Sequence, residues 1–193
     1  INGDGKVTAE DQTVIGHGLP IHTGGFTNNF SYKGFDLSIF FQWSYGNDVI
    51  NYNRAKLEDL RGQHTNQLAS AMNHWTPRVD NGDGTYTEGN YTNYLCAVNR
   101  NLTNLNTSRV VEDASFLRLK NVQLGYNFPV KLIKRIGISS LRLYVSGQNL
   151  WTWTKYTGYD PEVSTRNSAL TRGFDYSAYP KTTSYTFGIK LGL

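Results

Sequence analysis

Metal-ion chemistry is the first possibility the chain raises. Ile1-Asn2-Gly3-Asp4-Gly5-Lys6-Val7-Thr8-Ala9-Glu10-Asp11 matches an EF-hand-like calcium loop from its second position onward. Asn2 takes ligand position three and Asp4 position five, Gly5 supplies the sharp turn, Lys6 offers its backbone carbonyl, and Asp11 closes the loop at position twelve. Oxygen donors at this spacing suit a hard cation, so Asn2, Asp4, Lys6 and Asp11 are the candidate ligands of a structural Ca2+. The competing reading is an Asn-Gly-Asp-Gly turn that needs no metal. The first ligand would precede Ile1, so the sequence reads as starting inside its own motif. A second stretch, Asp80-Asn81-Gly82-Asp83-Gly84, puts Asn90 at the closing position and reads as a plain turn.

Catalytic chemistry finds less support. His17, His22, His64 and His74 form no His-Glu-x-x-His pattern, and no Gly-x-Ser-x-Gly nucleophile elbow is present. Cys96 lies in a polar stretch without a neighbouring His or acid to activate it, and a single cysteine forms no internal disulfide. The chain is therefore not read as an enzyme. A net charge of +4 and a pI near 9.1 would permit a nucleic-acid surface, but the 19 Lys and Arg residues are scattered. Their only cluster is Lys131, Lys134 and Arg135, with no RNA- or DNA-binding motif around it, so no nucleic-acid partner is expected.

The elements that must carry any site are strands. Of 193 residues, 38% are hydrophobic and 13% aromatic, yet mean hydropathy is −0.48, so the apolar content is thinly spread. No window approaches the ~18 consecutive apolar residues of a membrane-spanning helix, nor is there a signal-peptide core at the N-terminus. Strands of a membrane barrel alternate and escape both tests.

Alternation recurs five times. Residues 24–33 place Phe26, Phe30 and Tyr32 opposite Thr27, Asn29 and Ser31; after a turn at Lys33-Gly34, Phe35, Leu37, Ile39, Phe41, Trp43 and Tyr45 alternate with Asp36, Ser38, Phe40, Gln42 and Ser44. Only Phe40 breaks that pattern. In residues 116–128, Val122, Leu124, Tyr126 and Phe128 share a face, but Arg118 and Lys120 fall on it too by count, which predicts a phase-changing bulge or an end that projects beyond the bilayer. Residues 141–153 alternate up to Trp151 and Trp153, a pair suited to an aromatic girdle, and Tyr185 to Leu193 put every large apolar side chain at odd positions. Odd residues of that last strand should face lipid, with Thr186 and Lys190 facing the lumen.

Connections are short at Lys33-Gly34 and at 129–139, where one helical turn is expected through Leu132 and Ile136. They are long at 46–113 and 155–182, the first with a weak helical period over 52–68. Short periplasmic turns and long external loops are the barrel arrangement. Five strands cannot close a barrel, and an open edge in lipid leaves unpaired backbone groups, so these residues are expected to be part of something larger.

The order of several motifs resembles one family. Gly24-Gly25-Phe26 with Tyr32-Lys33-Gly34-Phe35-Asp36-Leu37-Ser38, then Val111-Glu112-Asp113-Ala114-Ser115-Phe116-Leu117-Arg118-Leu119-Lys120-Asn121-Val122, then Gly147-Gln148-Asn149-Leu150, and Tyr156-Thr157-Gly158-Tyr159-Asp160-Pro161-Glu162 are similar to stretches of the SusC/RagA group of TonB-dependent outer-membrane transporters of Bacteroidetes. The resemblance implies an all-β fold: about five C-terminal strands, residues 1–193, of a roughly 22-stranded antiparallel transmembrane β-barrel. It places the plug, the TonB box and the earlier strands outside these residues. It implies energisation through TonB-ExbB-ExbD, a SusD-like surface lipoprotein as lid, and oligosaccharide or peptide substrates. Leu193 stands where the family usually ends on an aromatic residue. Loop aromatics that can stack on such substrates are Trp75, Tyr86, Tyr91, Tyr94, Tyr176 and Tyr179. The alternative is a soluble carbohydrate-binding β-sandwich, which requires the greasy faces to be sheltered in one core.

Overall fold

Alternation translates directly into pairing. A computed structural model describes residues 9–60, 66–91, 107–162 and 172–193. In chain order its elements are β1 (His22–Tyr32), β2 (Phe35–Tyr45), β3 (Asp48–Asn51), helix α1 (Tyr52–Leu57), β4 (Val79–Asp80), β5 (Tyr86–Thr87), β6 (Val111–Asp113), β7 (Phe116–Asn127), helix α2 (Val130–Ile133), β8 (Ser140–Thr154), β9 (Phe174–Asp175) and β10 (Ser184–Gly192). The five long strands are those the alternation predicts, with ends moved by a residue or two. The chain divides into two units.

One unit, residues 19–47, 113–163 and 179–193, is the antiparallel sheet β1-β2-β7-β8-β10. Lys33 at φ 48° and Gly34 at φ 92° close the β1–β2 hairpin in the left-handed region, which Gly enters without steric cost. The β7–β8 connection is the expected helical turn, α2 followed by a 3-10 turn at Lys134–Ile136, ended by Gly137 at φ 79°.

The other unit spans residues 1–18, 48–112 and 164–178. Within it β3 pairs in parallel with β9 and neighbours β6, and β4 and β5 form a small hairpin. Of the helical period expected over 52–68, residues 61–65 lie outside the described residues, and the described ones form α1, which Asn51 caps by accepting the Arg54 N–H at 3.0 Å. Val49, Ala55 and Val110 form its buried apolar centre.

Candidate functional site

Ladder register fixes which side chains share a face. On one face the rows across the strands run Tyr32, Phe35, Tyr126, Leu143, Ile189; then Phe30, Leu37, Leu124, Val145, Phe187; then Asn28, Ile39, Val122, Gly147, Tyr185. The opposite face carries Ser31, Asp36, Gly125, Tyr144, Gly188; then Asn29, Ser38, Gln123, Ser146, Thr186. The first set is open to the surroundings, with Phe187 79% and Ile189 73% exposed, so the sheltered core that a sandwich requires is not formed over this sheet.

The ambiguity at Arg118 is resolved by a bulge. Phe40 pairs with Asn121 but Phe41 with Leu119, so Lys120 is the extra residue and the phase of β7 reverses there. Leu117 and Leu119 consequently join Trp43, Trp153, Phe41 and Trp151 on the apolar face, while Arg118 joins Gln42 and Thr152 on the polar one. Phe40, the lone misfit of β2, packs its ring over Gly25 on the polar face, where a Cβ would stand 2.7 Å from it.

Arg118 is the most buried large side chain there, 2% exposed. A cation so enclosed must be paired. Its Nη2 donates to Asp160 Oδ1 at 2.5 Å, and Nη1 lies 3.2 Å from Glu162 Oε2. Glu162 also meets Lys181 Nζ at 2.6 Å and Lys120 Nζ at 3.8 Å. Asp160 further accepts the backbone N–H groups of Glu162, at 2.9 Å, and Lys181, at 3.1 Å. Burial pushes the Asp160 carboxyl up, but Arg118 and these two N–H donors outweigh it and hold it below the usual carboxylate range. The cluster thus fastens the segment after β8 and the approach to β10 onto the polar face. A cavity of about 340 Å3 beside it is lined by Arg118, Asn149, Tyr159 and Lys181, among others.

A second ion pair crosses a whole strand. Asp36 on β2 meets Arg142 on β8 directly over Gly125 of β7, where a Cβ would stand 2.7 Å from both partners. Asn127 Nδ2 donates to the other Asp36 oxygen at 2.9 Å. Gly125 is therefore required by the pair, not by a turn.

The unit that holds α1 has its own network. Arg54 reaches Glu58 at 3.2 Å and Glu112 at 3.3 Å, Arg109 pairs with Glu58, and Ser70 Oγ donates to Glu58 at 2.7 Å. Glu112 is thus a structural anchor.

Of the loop aromatics, Trp75 and Tyr91 meet edge to face at 6.2 Å, Tyr91 Oη accepts the Arg78 N–H at 2.9 Å, and the Arg78 guanidinium lies 4.0 Å from the Tyr86 ring. Around the β4–β5 hairpin these side chains make a small exposed platform. Tyr176 packs instead against Tyr52 at 5.1 Å, a partner that sequence reasoning missed, and Tyr179 stands exposed without joining them. Asn2, Asp4, Lys6, His64, Tyr94 and Cys96 lie outside the described residues. Asp11 ends a single 3-10 turn, Ala9–Asp11, and among the described residues no three His, Cys, Asp or Glu side chains gather as a metal site. No helix among them is long and apolar enough to cross a membrane, which says nothing of strands.

A twisted antiparallel sheet with one uncovered apolar face and one polar, ion-paired face defines a segment of transmembrane β-barrel wall. Its relatives agree. No family model matches, but the chain is 37% identical to the TonB-dependent receptor P3 of Formosa agariphila over 99% of its length, and 26% identical to the TonB-dependent receptor SusC of Bacteroides thetaiotaomicron over 98%. The RagAB peptide importer in its open-open state superposes with a TM-score of 0.69 at 30% identity over 91% of the chain. The chain is thus a relative of SusC/RagA-type TonB-dependent receptors along nearly all its residues. It spans about a fifth of their length: 18% of P3, 17% of SusC and 17% of the matched RagAB chain.

Proposed function

We propose that this segment is part of the wall and external surface of a TonB-dependent outer-membrane importer of nutrient oligomers, glycans or peptides, capped by a SusD-like lipoprotein. The carrying observation is the set of continuous rows across five strands, apolar on one face and polar on the other, held in phase by the bulge at Lys120. The apolar rows face lipid and the polar rows line the lumen. The Arg118 cluster fixes an external loop to the lumen wall, and the Trp75, Tyr86 and Tyr91 platform offers stacking faces to sugar rings or peptide side chains. Nothing in this role requires bond-making chemistry, and the relatives named above are receptors and an importer.

The test is uptake of fluorescent oligosaccharides and oligopeptides by cells with and without the complete receptor. Import should vanish on deletion, return on complementation and collapse with a protonophore, and a surface lipoprotein should co-purify. Equal uptake of every oligomer by both strains would overturn the reading. A structural Ca2+ held by Asn2, Asp4, Lys6 and Asp11 is part of the proposal; chelation should lower the melting temperature of the complete receptor, and Asp4→Ala should remove that response.

A further inference from the structure

The basic cluster Lys131, Lys134 and Arg135 has no part in the proposed import and lies in the connection from β7 to β8, at the end of the sheet that carries the short turns. Helical spacing segregates its side chains: positions i, i+3 and i+4 put the three cations on one side, and i and i+4 put Leu132 and Ile136 on another. Ile133 anchors the turn, 4% exposed, whereas Leu132 is 67% and Ile136 70% exposed. The turn is closed and joined to the sheet, since Ile138 N–H donates to the Ile133 carbonyl at 3.3 Å and Ser139 N–H to that of Gly192, at the end of β10, at 2.9 Å. The apolar face runs up to it: Leu141 of β8 pairs with Leu191 of β10, and Tyr126 of β7 meets the Phe128 ring edge to face at 4.9 Å. No Asp or Glu occurs between Asp113 and Asp160, and among the described residues none of the three cations has a carboxylate within 4 Å.

We propose that residues 130–136 form an interfacial foot that binds anionic phospholipid in the periplasmic leaflet. Leu132 and Ile136 dip among the acyl chains at the edge of that leaflet, and Lys131, Lys134 and Arg135 meet its phosphates. An apolar side beside an unpaired basic one is the pattern of helices that lie in a membrane surface, and each Lys or Arg near an anionic leaflet strengthens attachment roughly fivefold. Charge complementarity asks for a net negative headgroup, because three cations with no acid among them leave the amine of a zwitterionic headgroup unanswered. An acidic protein would also satisfy the charges, but the exposed leucine and isoleucine continue an apolar face that the barrel turns to lipid, which favours the leaflet. The proposal rests on that lipid-facing reading.

The complete receptor would be placed in nanodiscs with equal phosphatidylethanolamine and phosphatidylglycerol, and retained lipid counted by native mass spectrometry after detergent release. The ratio of retained phosphatidylglycerol to phosphatidylethanolamine should fall at least about threefold in the triple variant Lys131→Gln, Lys134→Gln, Arg135→Gln, and stay at the wild-type value in Lys155→Gln, at the long-loop end. A triple variant with the wild-type ratio, or an equal fall in Lys155→Gln, overturns the foot. Depth is read separately from nitroxide labels on Leu132→Cys, Ile136→Cys and Phe187→Cys, by their accessibility to oxygen against a water-soluble nickel chelate. All three should report lipid. A label at 187 in lipid with those at 132 and 136 in water overturns the foot alone, whereas a label at 187 in water overturns the lipid-facing reading as well. Should the triple variant fail to assemble, the labels at 132 and 136 still decide the matter.

Discussion

Replacing Asp160 by Asn keeps the shape of the side chain and removes what Arg118 needs. The two carboxylate oxygens accept three donors: Arg118 Nη2 and the Glu162 N–H on Oδ1, and the Lys181 N–H on Oδ2. An amide has one oxygen, and its better orientation keeps that oxygen toward Arg118 and turns the NH2 group against the Lys181 N–H. The bond to Arg118 loses its anionic acceptor, a loss of about 1–1.5 kcal/mol, and a buried donor goes unsatisfied at about 1–3 kcal/mol. Because Glu162 still neighbours Nη1 at 3.2 Å, the total of about 2–4 kcal/mol stays below the ~3–5 kcal/mol of an orphaned buried charge. That corresponds to a roughly 30- to 1,000-fold more frequent opening of the loop.

Hydrogen exchange read by mass spectrometry on the complete receptor would measure this in peptides covering 155–162, with β2 peptides as internal control. The carboxyl titrates below its ordinary range in the folded chain, so its contribution is present above the unfolded value of about 3.9 and is lost only as pH falls through the lower folded value. The wild-type loop should therefore stay docked from pH 7 down to about 4 and loosen below that, whereas Asp160→Asn should be loose throughout with no acid step. Protection in the variant within threefold of wild type, or wild-type loosening near pH 6, would refute the argument.

Gly125→Ala puts a methyl group 2.7 Å from both Asp36 and Arg142; it should break the pair and lower barrel stability by about 1–3 kcal/mol, read as a lower temperature for loss of the compact electrophoretic form. Ile189→Lys, on the apolar face of β10, should reduce assembly by up to about 2–4 kcal/mol, while Thr186→Lys, on the polar face, should assemble normally in the same assay; equal effects would mean the faces are wrongly assigned. Trp75→Ala or Tyr86→Ala should weaken oligomer binding about two- to tenfold, the worth of one aromatic contact, in fluorescence titration of the complete receptor with an unchanged melting temperature.

What could be read from the sequence was what period 2 encodes. Tyr185 to Leu193 and Phe35 to Tyr45 announce their faces because each residue's side is fixed by parity alone. Arg118 with Lys120 advertised a conflict with Val122, and a bulge was one of its two solutions; deciding between them needs the register of both neighbouring strands, since only the pairing of Phe41 with Leu119 locates the extra residue. The partners of Arg118 were invisible for a different reason. Asp160 and Glu162 lie 42 and 44 residues on, in a loop with no periodicity, and sequence separation carries no information about which charge a buried cation will meet. Gly125 was equally mute, because its role is the space it leaves for two residues on other strands.

The single extra residue at Lys120 connects the two faces functionally. Without it, Leu117 and Leu119 would turn to the polar side and Arg118 to the apolar side, at a cost of about 2–4 kcal/mol for a cation near the bilayer midplane and less toward its edge. With it, the same half-strand supplies the cation that anchors the 156–162 loop on the polar face and Leu117, set between Trp43 and Trp153, on the apolar one. A bulge is tolerated here because the ladder is long on either side of it, with pairing from Phe116 to Leu119 and again from Asn121 to Asn127. The phase change therefore lies where β7 passes from evenly alternating wall to the end that carries the loops. There one strand must hold a charge cluster and an aromatic surface back to back.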